Sequence, residues 1–414
     1  MKTVTRTFIL GWLAASGTLR AAESGKPPPM VGTNEQGISL SIRCTNAVLK
    51  VGDEIAIEFL ITNNGTDDYN YSNRTYDRGG RMSEYALVAR AESGATVADP
   101  RGADKSPRIG GGLHSPRVLH PGESATRVIA LNRWALVKQP GRYTVVGTYH
   151  GAPFRDRPNQ AVSSEPITIN IQRRTAEEMH AYISDLTNQI AAIPPARFVT
   201  STRMPENVLV TNSAFDHRLA SLVERLAYTC SPKIVPSLLE AMYNPASSGF
   251  WEAEAFLYYV PRSEETKRAI IATAQERGLA EGMEYVLVNY GCSEEEMRAS
   301  IELSLRPDNP RTWSAGAMAA QSHPDDAFTP RLIAVATDKG INENARIRAI
   351  YALAANRTDE SVKALKSLLG NPEERIRSGV KQAINTAYHY RGRWTGRPLK
   401  PDDFDEALWH SEQP

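Results

Sequence analysis

The chain has 414 residues, 41% of them hydrophobic and 23% charged, enough apolar material for ordinary cores and enough length for two or three domains. Its 48 Lys and Arg balance 47 Asp and Glu to a net charge of +1, without the basic surplus of a nucleic-acid protein. Three Cys exclude a disulfide-dense scaffold or a zinc cluster.

Residues 1–22 read as a signal peptide. Lys2 and Arg6 give a positive start, and Phe8 to Leu19 is an apolar run too short to cross a bilayer comfortably. Ala15-Ser16-Gly17 and Ala21-Ala22 offer two cleavage positions, the second disfavoured by Arg20. A disordered cytosolic tail is the alternative. No later stretch approaches the ~20 apolar residues of a transmembrane helix, and no Cys follows the run to take a lipid anchor. The expectation is export to the periplasm or the extracellular medium, with no membrane span.

Residues 23–36, rich in Pro, Gly and polar side chains, read as a linker. From 37 to 172 the period is two. Ile38 to Ile42 alternates apolar and small polar residues, and Ile55 to Ile61 follows the turn Val51-Gly52-Asp53. Glu84 to Ala91, Ala125 to Leu131, Tyr143 to Tyr149 and Ile167 to Ile171 continue the pattern between turn signals. About seven short strands in such a length predict an antiparallel β-sandwich. Three local patterns carry a resemblance to the immunoglobulin-like domains of secreted bacterial proteins. They are Val51-Gly52-Asp53-Glu54-Ile55, Leu119-His120-Pro121-Gly122-Glu123-Ser124 and Pro140-Gly141-Arg142-Tyr143-Thr144-Val145. In such domains a tyrosine at the place of Tyr143 ties a loop to its strand. The usual inter-sheet Cys pair is absent, since Cys44 has no partner within these residues.

After Gln172 the period becomes 3.6. Residues 173–213 read as a connecting helix and loop, with Thr175 as N-cap, Glu178 completing a capping box and Pro194-Pro195 as the stop. Residues 214–390 repeat every ~30–34 residues as helix pairs, a solenoid period. Ala345 to Leu353 aligns with Ile376 to Ile384, so that Arg346 meets Arg377 and Ala352 meets Ala383. Ile234 to Leu239 aligns with Phe328 to Ile333, each with Pro in the first turn. Five pairs and a closing helix fit. The array resembles HEAT-like repeats of the short kind first noted in bilin lyases. The resemblance implies an all-α solenoid used mostly as a protein-interaction scaffold, and the lyase chemistry of some members does not come with the repeat. The tail, 391–414, is expected to cap the last repeat with Trp394 and Trp409, or else to be a disordered interaction tail.

Catalytic signatures are sparse. Ser378-Gly379-Val380-Lys381 has Ser–Lys spacing, but on a helix such a pattern is common. His323-Pro324-Asp325-Asp326 reads as a helix start whose acids serve the helix dipole. Asp67, Asp68 and Asp77 flank a Tyr-rich stretch, Tyr69 to Tyr76, which offers Ca²⁺ or sugar binding against the plainer reading of Tyr69 and Tyr71 on a strand. Cys230 and Cys292, two repeats apart, are expected to be unpaired buried thiols.

The fold class expected is therefore β followed by α: an immunoglobulin-like sandwich, then a HEAT-like solenoid. No catalytic residue, metal or other cofactor is implied, and a non-enzymatic binding or scaffold protein is the leading function. An envelope enzyme accessory and a glycan-binding adhesion protein are the alternatives. The expected partner is a protein, with carbohydrate second and nucleic acid excluded. Second helices of HEAT-like pairs line the usual docking face. Near the starts of four successive ones stand Arg268, Arg298, Arg331 and Lys363. Aligned, they would favour acidic peptide or a carboxylate polymer; otherwise they serve the nearby Glu264, Glu265, Glu294 and Glu295.

Overall fold

A computed structural model describes residues 32–34, 36–74, 81–82, 84–102, 114–151, 161–194, 217–244, 247 and 249–389. The expected signal peptide, most of the linker, the loop 196–213, Asp77 and the tail with Trp394 and Trp409 lie outside them.

The first part is a sheet region. One sheet runs β1 (Gly32–Thr33), β2 (Ile38–Cys44), β4 (Ala56–Asn63), β8 (Ser124–Ala130), all antiparallel. The other is centred on β9 (Gly141–Tyr149), with β6 (Tyr85–Ala91) on one side and β10 (Val162–Ser163) and β11 (Ile167–Gln172) on the other. The short β3 (Leu49–Lys50) pairs parallel with the end of β11. β5 (Tyr69–Arg74) and β7 (His114–Leu119) form a separate antiparallel pair. Alternation sends Leu40, Ile42, Ile57, Phe59 and Ile61 into one core with Tyr85, Leu87, Val145 and Tyr149 of the other sheet. Phe59 meets Tyr85 edge-on at 5.2 Å. Gly147 leaves room for it, since a Cβ there would stand 2.9 Å from the Phe59 ring.

Two expectations are corrected. The linker reading fails at its end, because Gly32 and Thr33 pair with Leu40 and Ser39. The Asn34 side chain closes that hairpin by accepting from the Gln36 and Ile38 amides at 3.0 and 2.9 Å. The described strands number eleven rather than about seven, and one pair of them is parallel. Two-residue strands have no period to detect.

The second part holds twelve described helices. α1 (Ala176–Ala191) begins at the expected capping box: the Thr175 side chain accepts from the Glu178 amide, and Glu178 accepts from the Thr175 amide. Then come α2 (His217–Tyr228), α3 (Val235–Met242), α4 (Phe250–Tyr258), α5 (Glu264–Arg277), α6 (Met283–Asn289) and α7 (Glu294–Ser304). α8 (Trp313–Ser322), α9 (Thr329–Thr337), α10 (Glu343–Asn356), α11 (Asp359–Leu369) and α12 (Glu374–His389) complete the chain order. Alternate helices touch: α2, α4, α6, α8, α10 and α12 make one row, while α3 meets α5, α5 meets α7 and α9 meets α11. Ala349, Ala352, Leu353, Val380, Ala383 and Ile384 are all buried between the last units. Gly316 lets α8 lie close on α7, where a Cβ would come within 2.6 Å of Ser304.

Candidate functional site

The four cations lie on α5, α7, α9 and α11. Side-chain caps start these helices: Ser263 and Ser293 accept from the Thr266 and Glu296 amides, and Thr358 from the Ser361 amide. α9 follows a 3₁₀ turn capped by Asp325, as α3 follows one capped by Ser231. The structure brings Arg298 and Arg331 together around Glu302. Arg298 Nε stands 3.4 Å from Glu302 Oε1 and 3.3 Å from Asp325 Oδ2. Arg331 Nη1 donates to the Glu302 carbonyl at 2.7 Å. Arg268 instead turns back on its own helix, donating to the Glu264 carbonyl at 3.2 Å. Lys363 is exposed on α11. α7 and α9 scarcely touch, whereas α8 and α10 pack closely, so Arg298 and Arg331 span the loosest seam of the second-helix row. The acids that hold Arg298 are Glu302 and Asp325, not Glu294 or Glu295, because one helical turn and the next unit's cap are nearer than the preceding turn.

Sequence reasoning missed the most heavily charged place, the seam between sheets and helices. Arg133, in the turn after β8, donates from Nε and Nη2 to the two oxygens of Glu224 on α2 at 2.9 and 2.7 Å. Its guanidinium lies 5.3 Å from the Trp251 ring centre on α4. Arg101 donates to both oxygens of Glu254 at 2.8 and 3.2 Å and stacks over Tyr258. Arg174 pairs with Asp53, and Lys50 with Glu178 at 2.6 Å. Asn132 is buried, its Oδ1 accepting from the Ile55 amide and its Nδ2 donating to the Asp53 carbonyl. Burial and the nearby Glu224 push the Glu54 carboxyl up in pKa, against Arg133 and Arg225. No local motif announces these pairs, whose partners stand 91 and 153 residues apart.

The remaining candidates resolve simply. Tyr71 is buried with its hydroxyl 2.7 Å from that of Tyr85, so it faces the core and not a sugar. Asp68 Oδ1 stands 2.7 Å from His120 Nδ1. Asp325 caps its turn by accepting from the Ala327 amide at 2.9 Å, and His323 lies 3.3 Å from Glu284. Ser378 and Lys381 are exposed on α12. Cys44, Cys230 and Cys292 are unpaired, and burial pushes the Cys230 and Cys292 thiols up to about 11, away from thiolate reactivity. Among the described residues no group of three or more His, Cys, Asp or Glu is placed to hold a metal ion, and no helix is long and apolar enough to cross a membrane.

No family model matches the chain, and no curated protein matches it. Among solved structures, human deoxyhypusine hydroxylase in complex with glycerol is 16% identical, over 51% of this chain and 75% of its own, with a TM-score of 0.27. Two forms of Salmonella alpha-2-macroglobulin, one a point mutant and one reacted with methylamine, are each 12% identical with a TM-score of 0.19. Those matches cover 91% of this chain and only 27% of the other. At such scores the likenesses assign neither fold nor function.

Proposed function

We propose that the protein is an exported, non-enzymatic binding or scaffold protein. In this reading residues 37–172 are an immunoglobulin-like β-sandwich and 214–390 a HEAT-like solenoid. An acidic stretch of a partner protein docks along the second-helix row through Arg268, Arg298, Arg331 and Lys363. The observation that carries the reading is the alternation of helix contacts. It sets α3, α5 and α7 side by side, and α9 beside α11, in a second row next to the first, the kind of stacking an interaction array uses. The charge-paired seam supports a scaffold, since it holds the β region against α1, α2 and α4.

The test is capture from envelope extract by the full chain, with identification of the bound protein. Arg298→Glu combined with Lys363→Glu is expected to abolish capture and to leave the melting temperature within about 2 °C, because exposed charges contribute little stability. Capture retained by the double variant would remove this face. Export is tested separately by N-terminal sequencing of the native protein: a start between Ser16 and Lys26 supports it, and an intact Met1 overturns it.

A further inference from the structure

The β region is seated on α2 and α4, and arginines hold it there. Arg133 lies over the Trp251 ring while it grips Glu224. Arg101 reaches both oxygens of Glu254, and its guanidinium stands 5.3 Å from the Tyr258 ring centre. At 3.6 residues per turn, Trp251, Glu254 and Tyr258 fall on the side of α4 opposite the buried Ala253, Phe256 and Val260. Each arginine thus finds an aromatic face and a carboxylate together on the outward side of the first row.

The next helix of that row, α6, abuts α4 at its start, where a Cβ on Gly282 would stand 2.5 Å from the Gly249 carbonyl oxygen. Buried Met283, Val286 and Tyr290 repeat the spacing of Ala253, Phe256 and Val260. In that register Glu284 takes the place of Glu254 and Val288 that of Tyr258, with Tyr285 beside them on the outward side. The β region does not cover this side. Tyr285 is 58% exposed and Val288 52%, the only exposed large apolar side chains among the described helical residues. Glu281, in the turn before α6, accepts from Arg348 at 3.0 Å through Oε1, and Glu284 stands 3.3 Å from His323. Two carboxylates therefore meet one guanidinium and one imidazole, and with His323 neutral one negative charge is left over. The Glu281 side chain is 46% exposed, and its Oε2 has no partner among the described residues.

We propose that the outward face of α6 binds an arginine-bearing segment of a partner protein, its guanidinium laid on the Tyr285 ring and bonded to Glu281, with an apolar neighbour against Val288. Three observations select this occupant. The face continues the seat of the β region by one helix, and arginine fills that seat at both neighbouring places. The leftover charge is negative, which favours a cation and disfavours an acidic segment. An exposed ring beside a carboxylate suits a guanidinium better than an ammonium, because the planar group stacks and donates at once. Tyr and Arg are also the residues that carry interfaces when they meet. This face belongs to the first row of helices and stands or falls independently of the second-helix row.

The probe is a library of random eight-residue peptides with arginine fixed at the centre, selected on the full chain and counter-selected on Tyr285→Ala. Because Tyr285 is exposed, that variant should melt within about 2 °C of the unaltered chain; Val288→Glu, also at an exposed position, serves as a second block if it does not. Expected are peptides with an apolar residue next to the arginine, bound by the unaltered chain at least about tenfold more tightly than by either variant. Tyr285→Phe, which keeps the ring, should retain them. Citrulline in place of the fixed arginine keeps the shape and removes the charge, and should weaken the same peptides by about tenfold or more. Absence of enrichment, equal binding to the blocked variants, or indifference to citrulline would overturn the proposal. So would self-association of the unaltered chain in sedimentation that Tyr285→Ala abolishes, since the face would then belong to a second copy.

Discussion

Arg133 grips Glu224 with two parallel hydrogen bonds, and each side chain is at least three-quarters buried at the meeting of sheet and helix. Such a fork is the strong form of an ion pair, and its partners depend on each other. Arg133→Ala or Glu224→Ala alone should cost about 3 kcal/mol, since each strands a charge in a half-dry seam. The double variant should cost less than the sum, leaving a coupling of about 2 kcal/mol. Denaturant unfolding of the four proteins measures it; strict additivity would mean that the fork contributes nothing beyond its separate charges.

The last helical units pack through alanine. Ala352 on α10 and Ala383 on α12 are fully buried. Glutamate at either place forces a carboxylate into a layer with no room or partner for it, at a cost of several kcal/mol. Thermal melts check this, and unchanged melting temperatures would contradict the alignment of the two helices.

Gly316 poses a sharper steric question. Alanine would gain about 1 kcal/mol of helix propensity, but its Cβ would come within 2.6 Å of Ser304 and 3.4 Å of Leu305. Overpacking of that kind costs about 1–3 kcal/mol, so Gly316→Ala should destabilise by about 1 kcal/mol net. A raised melting temperature would show that α7 and α8 can separate without cost.

Glu252 on α4 is buried, and one of its oxygens has no hydrogen-bond partner. Burial raises its pKa despite the hydrogen bond to Ser247. A raised carboxyl stabilises the fold while it is protonated in both states, below the ordinary carboxylate range. That contribution is lost as pH rises through the folded-state value. Glu252→Gln removes the charge and keeps the shape. It should match the unaltered protein near pH 4 and exceed it at neutral pH by about 2 kcal/mol. Equal stabilities at both pH values would refute the assignment.

Local chemistry made much of this legible in the sequence. The Thr175–Glu178 box, the Pro-bearing first turns after Ser231 and Asp325, and the Tyr143 hydroxyl donating to the Gln139 carbonyl at 2.8 Å all depend on residues within a few positions of one another. The aligned Arg346 and Arg377 show the limit. Both reach carbonyls of the segment before their own helix, Ala336 for Arg346 and Asn371 with Pro372 for Arg377. Only Arg346 is buried, held at 2.8 Å by Glu373. A repeat predicts position, while burial depends on whether another unit follows. Tyr69 and Tyr71 fall on β5, as the plainer reading of that stretch expects, whereas Gly32 misleads, because a two-residue strand in a Pro- and Gly-rich stretch shows no period before it pairs with Leu40. The candidate site followed the same rule: helix placement of Arg298 and Arg331 was readable, and their meeting at Glu302 required the packing of α7 against the next unit.

β11 ends at Gln172 and α1 begins at Ala176, so tension between the two halves of the chain enters along a strand. β11 is flanked by β9 over five residue pairs and by β3 in parallel, and the Arg174–Asp53 and Lys50–Glu178 pairs stitch the same line. A pull in that direction loads those bonds together in shear instead of peeling them one by one. The connection is mechanically a lap joint, and its endurance under load is set by the rate at which the whole overlap ruptures rather than by the equilibrium stability of either half.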